Sequence, residues 1–258
     1  MQKKFAIKNR RGLTIRGIME WKWDKYGPLV ILSHGLAVTY KQSQVRLVGD
    51  ALAEAGYTVF RLTATNSIGE SDGSLLNFTV SGYIQDIKTV MRYAFEKTGQ
   101  DYCALMGYSV GAMASYIVAA QDERVKALVL QGPLYDLKAE MSRLIYLPLY
   151  KAMGWMWKMS KTANKRFRLG YEFYHDGIRY RPDDYLRKIT CPSLVIYGTK
   201  ELLLQKHDFI ELYKRLRCDK KLVKISGAGH TFRSKKRISE LAREVLKWLK
   251  EVKYENQA

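Results

Sequence analysis

The sequence contains few cysteines, and they do not form a recognisable framework. The three cysteines are Cys103, Cys191 and Cys218. Their number is odd and their spacing is not that of a metal site, which argues against structural zinc. Cys103 falls in a predicted strand, where we expect a buried, inert thiol. This cysteine usage suits a reducing compartment, and we expect a cytoplasmic protein that needs no metal or other cofactor.

Long apolar segments and internal repeats are absent from the sequence as well. No run of about 18 apolar residues occurs, so no transmembrane helix is predicted. Lys8, Arg10 and Arg11 interrupt any apolar stretch near the N-terminus, and we therefore predict no export signal. We find no repeat and no low-complexity linker, which favours a globular fold without a solenoid architecture.

Acidic residues are scarce relative to basic ones. The chain has 44 Lys and Arg against 25 Asp and Glu, a formal net charge of +19. Most of the excess lies after Gln131. Such a field attracts anionic substrates, acidic lipids or nucleic acid, but no nucleic-acid motif accompanies it. We expect a solvated basic surface with weak association to anionic surfaces at most, no specific nucleic-acid partner, and a monomer or homodimer.

Strand and helix patterns alternate along nearly the whole chain. With 258 residues, 47% of them hydrophobic, the chain can bury one large core, and we predict a single domain over 1–258. The alternation predicts an α/β fold with a mostly parallel sheet covered on both faces. The predicted strands are Phe5–Ile7, Thr14–Met19, Leu29–Leu32, Tyr57–Arg61, Tyr102–Met106, Val125–Leu130, Leu194–Tyr197 and Leu222–Ile225. The main predicted helices are Val45–Ala55, Tyr83–Phe95, Ala112–Ala120 and Ser239–Val252.

One interval is longer than a strand-to-helix connection needs. About sixty residues separate Gln131 from Pro192, and they are rich in Met and aromatic residues. We interpret approximately 133–188 as a helical lid inserted after the sixth strand, because ligand-binding loops cluster at strand C-termini. Met153, Trp155 and Trp157 are its candidate pocket residues, since Met and Trp make adaptable apolar walls. The alternative is a structural insertion with an ordinary core face.

The motif Gly107-Tyr108-Ser109-Val110-Gly111 lies between a predicted strand and a predicted helix. This strand–turn–helix context is what a G-x-S-x-G nucleophile elbow requires. The glycines avoid collisions with the neighbouring strand and helix, and the strained Ser109 backbone presents its hydroxyl at the helix N-terminus. We therefore predict that Ser109 is a nucleophile. The alternative is an ordinary Gly-rich turn.

A serine nucleophile needs a base, and the base needs an acid to orient it. His230 follows the last predicted strand in a Gly-flanked loop, and we assign it as the base. Glu201 follows the preceding strand and is our candidate acid, with Asp136 as the alternative and Asp208 a distant third. The rival histidines are His34, His175 and His207, which lie before the nucleophile, in the insertion and in a polar helix respectively.

An oxyanion hole is built from backbone N–H groups. The residue after the nucleophile, Val110, supplies one candidate donor, and Leu36 in the loop after the third strand supplies the other. We interpret His34 as a residue that organises this loop, because Gly35 allows the backbone to turn tightly toward the pocket.

Together these residues resemble the α/β-hydrolase superfamily over nearly the whole chain. His34-Gly35, Thr65–Gly73, Gly107–Gly111 and Gly229-His230 look like the cinnamoyl/feruloyl esterase and monoacylglycerol-lipase-like branch. The resemblance implies carboxylester hydrolysis through an acyl-enzyme without metal or cofactor. The chain departs from the branch pattern at Glu201, where Asp is familiar, and at Tyr108, where His is common.

The sequence therefore predicts a serine esterase for small to medium apolar or aromatic acyl esters. The first alternative is an acyl-thioester hydrolase or acyltransferase that uses the same residues. A peptidase is not favoured by any sequence feature. The remaining alternative is a non-catalytic binding protein with a hydrolase fold, against which the complete Ser, His and carboxylate set argues.

Overall fold

An eight-stranded sheet forms the centre of the molecule. The computed structural model describes residues 1–160 and 163–254. Its strands are β1 (Gln2–Lys8), β2 (Thr14–Glu20), β3 (Leu29–Ser33), β4 (Thr58–Thr63), β5 (Cys103–Tyr108), β6 (Val125–Gln131), β7 (Trp155–Ser160), β8 (Lys165–Gly170), β9 (Ser193–Gly198) and β10 (Lys220–Ile225). The central sheet has the order β1-β2-β4-β3-β5-β6-β9-β10, and β7 and β8 pair separately. Strand β2 runs antiparallel to β1 and β4, and all other neighbours are parallel. The predicted mostly parallel sheet is confirmed.

Helices cover both faces of this sheet. They are α1 (Ser43–Glu54), α2 (Val80–Thr98), α3 (Val110–Ala119), α4 (Leu137–Ser142), α5 (Leu147–Met153), α6 (Glu172–Gly177), α7 (Pro182–Leu186), α8 (Lys206–Arg215) and α9 (Lys235–Val252), with a 3-10 helix at Leu75–Asn77. Helices α1 and α9 share one apolar cluster with the sheet, whereas α2, α3 and α8 contribute to the other. Burial on both faces explains why the central strands are continuous apolar runs. None of the helices in the described ranges is long and apolar enough to cross a membrane.

The parallel strands bring the loops that follow them to one edge of the sheet. Strands β3, β5, β6, β9 and β10 run in the same direction, so their C-terminal ends lie together. The loops that follow them carry the predicted nucleophile, base and acid. In open α/β sheets, this edge is where ligands bind.

The segment between β6 and β9 differs from the prediction in its secondary structure. It was expected to be a helical lid, but besides α4 to α7 it contains the antiparallel hairpin of β7 and β8. Gly154 ends α5 in the left-handed region (φ +73°), and the chain then enters β7. Aromatic residues such as Trp155 and Trp157 favour strands, so the apolar run there does not distinguish helix from strand. Positions 161–162 of the segment lie outside the described residues.

Polar contacts attach this segment to the rest of the molecule and brace it internally. Asp176 on α6 is 2% exposed and accepts a hydrogen bond from the Ser81 backbone N–H (2.8 Å) at the start of α2. The Tyr150 hydroxyl donates to the Gly170 carbonyl (2.5 Å), which joins α5 to the end of β8. Arg143 reaches Asp208 on α8 at 3.4 Å. The segment is therefore held to α2 and to α8, and the Tyr150 bond joins two elements of the segment itself.

Candidate active site

The turn between β5 and α3 holds Ser109 in a strained conformation. Its φ of 56° and ψ of −118° lie where residues with a side chain are rarely found. The flanking glycines make the turn possible. A Cβ on Gly107 would lie 2.5 Å from the Ala112 Cα, and one on Gly111 would lie 2.4 Å from the His34 carbonyl oxygen. Strand, elbow and helix can pack this closely only because both positions lack a side chain.

A continuous hydrogen-bond chain joins three side chains from separate loops. The His230 Nε2 lies 3.1 Å from the Ser109 Oγ, and the His230 Nδ1 lies 2.7 Å from the Glu201 Oε2. An ionised carboxylate can only accept, so Nδ1 carries the proton and Nε2 is free to accept from the serine hydroxyl. This tautomer is the one that a general base needs.

Glu201 is held in place by more than the histidine. Its Oε1 accepts hydrogen bonds from the backbone N–H groups of Leu203 (2.7 Å) and Leu204 (3.2 Å). Burial alone raises the pKa of this carboxyl, but the His230 contact and the two backbone donors outweigh it and hold the pKa below its usual value. The side chain is 1% exposed. Glu201 is therefore a buried, ionised carboxylate at neutral pH.

The acid and base loops are also fixed to each other through the backbone. The Lys200 N–H donates to the Ala228 carbonyl at 2.8 Å, two residues before His230. The Gly227 N–H donates to the Thr199 hydroxyl at 2.9 Å. These bonds set the distance between the carboxylate and the imidazole.

The rival residues lie elsewhere. Asp136 accepts a hydrogen bond from the Ala139 N–H (3.0 Å) and caps α4, and Asp208 lies 3.4 Å from Arg143. His175 lies 3.3 Å from its helix neighbour Glu172. The His207 side chain is 76% exposed on α8. The structure thus brings Glu201, and not Asp136, to His230.

Hydrogen bonds to the backbone and to Tyr83 fix His34 in the loop after β3. Its Nδ1–H donates to the Gly35 carbonyl (2.7 Å), and its Nε2 accepts from the Ala64 N–H (2.9 Å). The Tyr83 hydroxyl accepts from the His34 N–H and donates to the His34 carbonyl, at 2.6 and 2.9 Å. Complete burial lowers the pKa of the imidazole to about 4, although the Gly35 bond opposes this shift. His34 therefore stays neutral and braces the loop.

The burial of neutral His34 predicts that the folded protein loses stability in acid. The unfolded chain binds a proton at His34 below its ordinary pKa of about 6.5, whereas the folded protein does so only below about 4. The free energy of unfolding should therefore fall as pH drops from about 6.5 to about 4, by up to about 3 kcal/mol from this group. Urea unfolding at several pH values measures the slope. His34→Gln should be less stable at neutral pH yet show a flatter slope, and an unchanged slope would contradict the assignment.

The candidate oxyanion donors lie beside Ser109. Val110 is the first residue of α3, where a backbone N–H has no partner within the helix. The loop after β3 passes close to the nucleophile, because a Cβ built on Gly35 would lie 3.5 Å from the Ser109 Cβ. Leu36 follows directly in that loop. Both predicted donors thus belong to backbone segments that flank the serine.

Sequence reasoning missed two neighbours of His230. The ring centroid of Tyr108 lies 5.0 Å from that of the imidazole, at an interplanar angle of 44°. Gly132, at the end of β6, lies so close that an added Cβ would be 3.4 Å from the imidazole. The position of Tyr108 before the nucleophile was the available signal. Nothing in the local sequence singles out Gly132.

The candidate pocket residues lie on α5 and β7. Trp155 and Trp157 contact each other edge to face at 5.2 Å, and the Arg168 guanidinium lies 5.5 Å from the Trp155 ring centroid. Trp157 is 58% exposed and Met153 is 48% exposed. Met153 and Trp157 therefore present apolar surface to solvent, whereas Trp155 is partly buried. Within residues 1–160 and 163–254, no group of three or more His, Cys, Asp or Glu side chains is placed to hold a metal ion.

The doubly covered sheet, the elbow and the order of strands define an α/β-hydrolase. The family profile described as serine aminopeptidase, S33, of the Hydrolase_4 group, matches residues 25–181. This match covers more than half of the chain, and the protein belongs to this family. The expected superfamily is confirmed.

Individual relatives are distant in sequence. Est1E from Butyrivibrio proteoclasticus, solved with ferulic acid bound, superposes with a TM-score of 0.83 at 18% identity, covering 96% of this chain and 98% of that one. Alpha/beta hydrolase domain-containing protein 10 from mouse gives 0.80 at 17% identity, covering 97% and 99%. An uncharacterised 31.7 kDa protein from the traX-finO intergenic region of Escherichia coli is 22% identical over 209 residues, which are 67% of this chain and 72% of that protein.

Proposed function

We propose that this hydrolase is a serine carboxylester hydrolase that works through an acyl-enzyme. The observation that carries the proposal is the hydrogen-bond chain from Glu201 through His230 to Ser109. A buried carboxylate, an imidazole in the base tautomer and a serine on a strained turn are the parts that acyl transfer requires. The preferred substrates are small to medium apolar or aromatic acyl esters.

Each residue has a defined role in this mechanism. The Ser109 Oγ attacks the ester carbonyl carbon while His230 Nε2 takes the hydroxyl proton, and the N–H groups of Leu36 and Val110 stabilise the oxyanion. Collapse of the tetrahedral intermediate breaks the bond to the alcohol, which leaves with the proton from Nε2. Water then attacks the acyl-enzyme carbonyl and gives a proton to Nε2. The bond between the acyl carbon and Ser109 Oγ breaks, Oγ takes the proton back from Nε2, and the acid is released. Glu201 stabilises the imidazolium in both steps.

The reaction class is tested with three substrates, of which the ester and the thioester share one acyl group. A p-nitrophenyl ester, a matching acyl thioester and an aminoacyl p-nitroanilide separate an esterase from a thioesterase and from the aminopeptidase activity in the family description. We expect kcat/KM to be highest for the ester. Faster cleavage of the thioester or the anilide would assign the same residues to that reaction.

Glu201→Gln tests the acid. The amide keeps the shape of the side chain but cannot stabilise the imidazolium, so kcat should fall by about a hundredfold or more. Asp136→Asn is the matched control, since it changes the other candidate carboxylate in the same way and should weaken only the α4 cap. Steady-state hydrolysis of a p-nitrophenyl ester measures both. If Asp136→Asn lost its activity and Glu201→Gln kept it, the catalytic acid would be Asp136, in the loop after β6.

We further propose that the segment at approximately 133–188 is a lid that carries the acyl pocket. Its support is the apolar surface that the exposed Met153 and Trp157 form beside the partly buried Trp155. Ferulic acid, which is bound to Est1E, is aromatic, and this favours aromatic esters in the test panel.

Trp157→Ala tests the pocket. Because the side chain is 58% exposed, its loss should hardly change Tm, while the relative rates on acetyl, octanoyl and aromatic esters should shift about tenfold. Trp23→Ala is the control, since Trp23 is 55% exposed outside the segment. Identical substrate profiles for the two variants would argue for a structural insertion.

A further inference from the structure

A groove runs between α1 and α9, on the face of the sheet opposite α2 and α3. Its volume is about 670 Å³. Leu47 and Ala51 from α1 and Ile238, Ala242 and Leu246 from α9 form an apolar floor. Ile238 and Ala242 are nearly buried, at 2% and 6% exposure, so the floor is recessed. The site described above does not use this groove.

One side of the groove is positively charged over its whole length. Lys235, Arg243, Lys247 and Lys250 line it from α9, and all four are exposed. Of these four cations, only Lys247 has a carboxylate of the described residues within ion-pair distance, Glu251 at 3.9 Å. The first and last of these cations are separated by about four turns of helix, or roughly 22 Å.

We propose that this groove binds an amphipathic helix of a partner protein, with an apolar stripe on the floor and Asp or Glu side chains against α9. An apolar groove of this kind suits the helix-in-groove mode of recognition. The charge distribution favours a helix over a single-chain anionic lipid, because one headgroup would meet only one end of the row of cations. Acidic residues at helical spacing would meet all of them.

Two other occupants fit the charges and the shape less well. A second copy of the chain would place one cationic α9 against another in a twofold interface, where like charges repel. A flat anionic bilayer would contact the exposed cations but could not reach the recessed floor, so it would gain no apolar burial.

A synthetic peptide serves as the probe. It is a fluorescein-labelled helix of about 18 residues with leucines on one stripe and glutamates beside it. Fluorescence anisotropy gives its Kd for the full-length protein. Lys247→Glu/Lys250→Glu should raise Kd on the order of tenfold. Ala51→Gln, which obstructs the floor without a charge change, should also weaken binding. Arg92→Glu/Lys97→Glu on α2 is the charge-matched control and should leave Kd within about twofold.

Several results would overturn the proposal. The first is the absence of peptide binding, and the second is equally tight binding of a scrambled peptide without the apolar stripe. The third is an equal rise in Kd for the α2 control variant, which would show that the peptide responds only to the general positive charge of the protein. Binding of phosphatidylglycerol vesicles that Ala51→Gln weakens, in place of peptide binding, would assign the groove to a membrane surface. Because the groove lies apart from Ser109, these variants should hydrolyse p-nitrophenyl esters like the parent protein.

Discussion

Ser109→Ala should lower kcat for ester hydrolysis by about a thousandfold or more. The substitution removes the attacking oxygen, and with it the acyl-enzyme route, while α3 and the elbow keep their shape. The protein should therefore remain folded, with a Tm close to that of the parent. Steady-state assays on a p-nitrophenyl ester, together with thermal unfolding, measure the two effects separately.

Ser115→Ala is the matched control for this experiment. Ser115 lies on α3, the helix that follows Ser109, and is 1% exposed, and its hydroxyl pairs with that of Ser33 at 2.9 Å. Losing this buried hydrogen bond should cost about 1 kcal/mol of unfolding free energy and little activity. Near-normal ester turnover by Ser109→Ala would contradict the esterase proposal.

His230→Ala should reduce kcat nearly as much as Ser109→Ala. In the part of the chain that the structure describes, the imidazole is the one side chain hydrogen-bonded to the Ser109 Oγ, so its removal takes away the group that accepts the serine proton and returns a proton to the leaving alcohol. Members of a triad act as one unit, so adding His230→Ala to Ser109→Ala should cause little further loss.

His175→Ala and His207→Ala are the controls for the base. Both side chains are well exposed and pair with carboxylates on their own helices, so their removal should leave most of the activity. An inactive but folded His207→Ala variant, beside an active His230→Ala variant, would show that the base assignment is wrong.

The sequence predicts the central sheet well, because apolar strands that are buried on both faces leave a clear pattern. All eight predicted strands of the sheet are present, and β9 at Ser193–Gly198 differs from the predicted Leu194–Tyr197 by one residue at each end. Helix ends are less accurate. Helix α2 begins at Val80, three residues before the predicted start, because Thr79 caps it by accepting a hydrogen bond from the Gly82 N–H.

The segment after β6 is where sequence reasoning fails. Its Met-rich and aromatic residues are compatible with helix and strand alike, and the choice depends on the pairing of β7 with β8. Tertiary contacts of this kind have no local signature.

The candidate site could be predicted in part, less completely than the central sheet and better than the segment after β6. The elbow motif and the chain order identify Ser109 and His230 from the sequence alone, without knowledge of the distance between the two side chains. The choice between Glu201 and Asp136 could not be made from sequence, because each follows a strand of the sheet. It depends on where two loops meet in space, and the 2.7 Å contact with His230 favours Glu201.

The most direct test of the central claim is covalent labelling by a fluorophosphonate, followed by mass spectrometry of the digested protein. A fluorophosphonate reacts with a serine that an adjacent base activates, and it stops at a stable adduct. We predict one adduct, on the peptide that carries Ser109, and its loss in His230→Ala. An adduct on another residue, or unlabelled Ser109 in a protein that still hydrolyses esters, would contradict the account.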